Sequence, residues 1–130
     1  MAKLSADQAF ELANEFHNLA VSVGNYRFDN WDDLTPTQRK RLEDLQWTLM
    51  NYSSDFIAQG ISLTVGDLQG ALNRIVNATS EANGAIKKIK VVNKVVAIAT
   101  AATVLGASIM SGNADGALKA GQDLFNAISA

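Results

Sequence analysis

The chain has 130 residues, a net charge of −2, 48% hydrophobic residues and 18% charged residues. A chain of that size and balance forms one globular domain and buries about two thirds of its unfolded surface without a staple, which excludes intrinsic disorder. It has no cysteine, so disulfides, thiolate metal sites and cysteine nucleophiles are excluded together.

Charge is unevenly placed. Residues 1–65 carry nine acids against five bases, and residues 66–130 carry four acids against six bases. Neither half has the basic stripe of a nucleic-acid binder. The start, MAKLSADQAFELANEF, lacks the continuous apolar run of a signal peptide. The expected location is the cytoplasm, with a membrane-associated or exported form left open.

Apolar residues recur at three- and four-residue steps almost throughout, with no sustained strand-type alternation. The spacing predicts a first helix from about Ala6 to Val23, with Ser5 and Gln8 forming a capping box. Ala9, Leu12, Ala13, Phe16, Leu19, Ala20 and Val23 make its buried stripe, and Gly24 is expected to end it. GNYRFDNWDDLTP, residues 24–36, then reads as a loop. Its aromatics Tyr26, Phe28 and Trp31 either plug the end of the bundle or contact a partner or a membrane. Its aspartates Asp29, Asp32 and Asp33 lack the frame of a calcium loop and favour the following helix start instead.

Thr35 and Gln38 form a second capping box with Pro36 at the first helical position. The second helix should reach Gln59, with Leu42, Leu45, Leu49, Tyr52 and Phe56 on a near-heptad seam and Gly60 beyond its end. Trp47 falls off that seam. In the third helix, capped by Thr64 or Ser62 with Asp67 in its first turn, the seam is Leu68, Leu72, Ile75, Thr79, Ala82, Ile86 and Ile89. No firm stop precedes Met110, so one long helix and two shorter ones, broken near Gly84 or Lys94, both fit. SGNADG, residues 111–116, is a turn. A last helix follows, from about Asp115 to Ile128. The predicted fold is all-α: a compact antiparallel bundle of four to five helices with a central apolar C-terminal helical hairpin.

Residues 95–114 contain no charge. Lys87, Lys90 and Lys94 cluster before them, and Val91, Val95, Ile98, Val104, Leu105, Ile109 and Met110 are expected to cover nearly every direction of a helical wheel. A helix apolar all round is buried in protein or in lipid. Its strongly apolar core, 16 residues from Val95 to Met110, spans about 24 Å, short of a bilayer core of about 30 Å. If the bundle buries it, Val104→Asp should be severely destabilising.

Two readings follow. In the first, the hairpin 91–128 is exposed to lipid on cue, with the lysines drawn to anionic headgroups. This arrangement, over about a third of the chain, is similar to that of α-helical pore-forming toxins and colicin-type pore domains, and the resemblance implies membrane activity. In the second, the chain is a soluble interaction or oligomerisation module that binds a protein partner, with the seams of helices two and three as interface candidates.

Catalytic patterns are missing from the sequence. His17 is the only histidine, no Glu-x-x-His motif accompanies it, and no P-loop or nucleophile elbow occurs. No enzyme activity, cofactor or metal is expected.

Overall fold

The computed structural model describes residues 2–63 and 68–130. Its five helices are α1 (Ala6–Asp29), α2 (Pro36–Gln59), α3 (Leu68–Lys88), α4 (Val92–Met110) and α5 (Ala114–Ser129). One 3-10 turn, Trp31–Asp33, lies between α1 and α2. Two short strands, β1 (Ala2–Lys3) and β2 (Ser62–Leu63), pair antiparallel. Thr64 and Asp67, expected to cap and open the third helix, lie outside the described residues. Ser62, the alternative cap, belongs to β2.

Both capping boxes form: Ser5 Oγ accepts from Gln8 N at 3.1 Å, and Thr35 Oγ1 accepts from Gln38 N at 3.1 Å. The carboxamide of each glutamine accepts the cap residue's own N–H at 2.9 Å. α2 closes at Gly60, whose φ of 73° suits glycine. Asn113 caps α5 by accepting from Gly116 N at 3.0 Å.

The helices form a closed ring in the order α1, α2, α4, α5, α3. Helices consecutive in the chain alternate direction, as the short links predict. Spatial neighbours need not: Gln8 meets Gln69 and Ser22 meets Asn83, so α1 and α3 run the same way. The same holds for α2 and α4, where Arg41 bonds to Thr100 and Tyr52 lies against Gly106.

Leu12, Phe16, Leu19, Leu42, Leu49, Phe56, Leu72, Ile75, Ile98 and Leu105 fill the centre. The Phe16 ring meets Phe56 edge-on at 5.1 Å and Tyr52 edge-on at 6.3 Å. The seams predicted for α2 and α3 are spent on this core. They are therefore not free to bind a partner in the folded chain, which corrects the interface expectation.

Three features differ from the expectation or decide what it left open. α1 runs straight through Gly24, which has no positive φ. A Cβ there would lie 2.5 Å from Gln46 Nε2, so the glycine permits close approach of α1 and α2 and does not end a helix. Of the two alternatives for the long segment before Met110, two helices form, with the break at residues 89–91, between Gly84 and Lys94. There Val91 is extended, and the Lys90 carbonyl accepts from Tyr26 Oη at 3.1 Å. Lastly, the β1–β2 ladder supplies a two-residue strand pair where none was expected.

Candidate functional site

Residues predicted to act together are divided by the fold. On α4, Val95, Ile98, Leu105 and Ile109 point inward and are buried, together with Ala99, Ala102 and Gly106. Val104 points outward and is 53% exposed. α4 is thus apolar all round yet buried on one side only, because it is a stave of the ring with α2 and α5 as neighbours. Val104→Asp puts its charge in solvent, and the expectation of severe destabilisation is withdrawn. Among the described residues, α4 is the one helix long and apolar enough to cross a membrane.

The lysine cluster divides, with Lys94 apart from the others. Lys87 and Lys88 occupy the last turn of α3, where positive charge complements the helix dipole. Lys94, beyond the break, donates from Nζ to the Ala130 carbonyl at 2.6 Å. Lys90 is exposed in the connection. Lys87, Lys88 and Lys90 line one wall of a cleft of about 650 Å³ whose other wall carries Asp29 and Asp33. Tyr26 forms part of its floor. Burial, and secondarily the charge of Asp33, raises the Tyr26 phenol above its ordinary pKa.

The aromatic loop also splits. Tyr26 is buried at 7% exposure and plugs the bundle end, whereas Phe28 and Trp31 face solvent at 66% and 40%. Their rings stack at 6.2 Å. The Arg27 guanidinium lies 5.0 Å from the Phe28 centroid and Arg39 lies 4.5 Å from that of Trp31. Arg39 also donates from Nε and Nη2 to the Trp31 carbonyl, at 2.9 and 2.7 Å. Arg27 pairs with Glu43 at 3.2 Å. The turn is therefore a rigid plate that holds Phe28 and Trp31 outward.

The plate continues a larger feature. At 100° per residue, Phe10, His17, Val21 and Phe28 fall within about 40° of one another and roughly 130° from the middle of the buried stripe of α1. All four are exposed. Trp47 and Ile57, also exposed at 59% and 57%, lie on the outer side of α2, which runs antiparallel beside α1. Phe10, Asn14 and His17 share a notch of about 190 Å³ with Ser53 and Ile57. The sequence reading missed Phe10, Val21 and Ile57. The signal was present on α1 as the 7-4-7 spacing from Phe10 to Phe28, a second stripe hidden by the stronger first one.

Beside the α1 stripe, on the side away from α2, lie Asp7 and Glu11, both exposed and, among the described residues, without an ion pair. Glu15 sits deeper, toward α3. Burial first, and the charge of Glu11 second, hold its carboxyl above the usual range.

Among the described residues, no group of three potential ligands could hold a metal ion. His17 lines the notch. The chain is a five-helix all-α bundle whose most distinctive surface is the outer face of the α1–α2 hairpin. No protein-family model, curated protein or solved structure matches it.

Proposed function

We propose that the chain is a non-enzymatic helical interaction module that binds a protein partner through the outer face of the α1–α2 hairpin. One observation carries this reading. Of the eight large hydrophobic residues exposed among those described, six (Phe10, Val21, Phe28, Trp31, Trp47 and Ile57) belong to α1, α2 and the turn between them. Scattered apolar residues are ordinary on a protein surface, but a set concentrated on one hairpin and rich in Phe and Trp matches the composition of interface cores. The plate around Trp31 is held in place by stacking and hydrogen bonds, so little ordering cost attends docking there.

Photo-crosslinking from position 47, in cells that make the chain, tests the proposal. A discrete protein adduct, lost when Phe10 and Phe28 are replaced by Ser and absent from a probe at position 122 on α5, is expected. Absence of any protein adduct from position 47 would overturn it.

A second reading has its own observation in favour. The 19 residues of α4 measure about 29 Å at 1.5 Å per residue, close to a bilayer core. Lys94 is the helix's only charge, and its outward side is already free of charge from Val95 on. Insertion of this helix into lipid is the pore-forming alternative. Against insertion of the whole hairpin stand Asp115, Lys119 and Asp123 on α5, each costly at the bilayer centre.

A further inference from the structure

The outer face of α1–α2 has a shape and a charge that restrict what can occupy it. Its stripe of Phe10, His17, Val21 and Phe28, three of the four apolar, extends 18 residues or about 27 Å along the helix axis. At the Phe10 end the notch shared with Ile57 opens between the two helices, as an anchor pocket does in helix-in-groove recognition. Along the free edge of that end run Asp7 and Glu11. Neither has an ion pair among the described residues, and the charge of Glu11 is, after burial, the second cause that raises the Glu15 carboxyl beside them.

We propose that the occupant is an amphipathic helix of a partner protein, about five turns long, with a strip of large apolar side chains flanked on one side by Lys or Arg. The apolar strip seats on Phe10, Val21 and Phe28 and sends one side chain into the notch. The basic flank lies over Asp7 and Glu11, the charge complement that fixes direction and register. This rests on the reading of the α1–α2 face as a partner surface and adds the chemistry of the partner.

The full chain carries its own reporter, since both tryptophans lie on this face. The probe is an 18-residue tryptophan-free peptide with Leu at helical spacing, Lys along one flank and Gln elsewhere. A second peptide has Glu in place of Lys. The Lys peptide is expected to bind with a blue shift of tryptophan emission and to gain helicity, while the Glu peptide binds at least tenfold more weakly. The double substitution D7N/E11Q should weaken the Lys peptide roughly fivefold, as expected for two exposed ion pairs. The substitution F10S, at an exposed position, should abolish binding without lowering the melting temperature.

Equal binding of the two peptides would overturn the basic-helix inference while leaving the face as an apolar docking surface. Binding of neither peptide, alongside a protein adduct from position 47, would overturn the helix and keep the partner. Lys-peptide binding unaffected by F10S would place the site elsewhere and overturn the inference.

Discussion

Gly106→Ala tests how α4 is held. Gly106 is buried where α4 crosses α2, and a Cβ there would stand 2.5 Å from Tyr52 Cδ2, 2.8 Å from Cε2 and 2.9 Å from Cγ. In the middle of a helix, Gly→Ala by itself gains about 1 kcal/mol. Here the ring must move. It is stacked on Phe56 at 6.2 Å and set against the edge of Phe16, so the displacement spreads into the core, and overpacking of this kind costs about 1–3 kcal/mol. The net expectation is a loss of up to about 2 kcal/mol, or up to roughly 8 °C in melting temperature for a chain of this size, with no gain. Gly84→Ala is the internal control: nothing lies within 4 Å of its Cβ position, so the helix-propensity gain of about 0.5–1 kcal/mol should appear undiminished. Thermal and urea unfolding followed by far-UV circular dichroism measures both. If both substitutions raise stability, α4 does not pack on Tyr52, and the ring order around it is refuted.

Further predictions follow from other sites. Val104→Asp should change stability by less than about 1 kcal/mol, whereas Leu105→Ala, one residue on and fully buried, should cost about 2–5 kcal/mol; urea titration separates them. Tyr26→Phe removes the donor to the Lys90 carbonyl and should cost about 0.5–1.5 kcal/mol, with hydrogen exchange rising first at the α3–α4 break. Thr35→Ala should cost about 0.5–2 kcal/mol through loss of the α2 cap. Glu15 titrates above an ordinary glutamate in the folded chain, so the folded state binds the extra proton. Its contribution is fully present below about pH 4 and is lost as pH rises through the raised value. Glu15→Gln should therefore raise the melting temperature at neutral pH and leave it nearly unchanged below about pH 4.

The sequence was most legible where local chemistry decides the structure. The capping boxes at Ser5 and Thr35, the bounds of α2 and the buried seam of α3 follow from side chains interacting with their own backbone neighbours or from simple periodicity. It was least legible where a distant element decides. Gly24 reads as a stop because glycine often is one; the side chain that makes it an interface residue, Gln46, lies 22 residues on. The break at residues 89–91 contains no Gly or Pro and is fixed by Tyr26 reaching over from α1. Burial of α4 on one side only depends on the ring order of the helices, which no local pattern encodes. The aromatic segment 24–36 announced an unusual surface without showing that Phe28 would join Phe10 and Val21 along α1, with Trp31 stacked on it from the turn.

The central claim is that the chain acts through the folded α1–α2 face and not through an α4 released into lipid. Dye-loaded anionic and neutral vesicles, titrated with the full chain while tryptophan emission and leakage are recorded together, test it most directly. The predicted result is unchanged emission and retained dye at both neutral and mildly acidic pH. Leakage accompanied by loss of the Gly106–Tyr52 packing, read as insensitivity of the lipid-bound form to Gly106→Ala, would contradict the claim and make α4 the working part of the molecule.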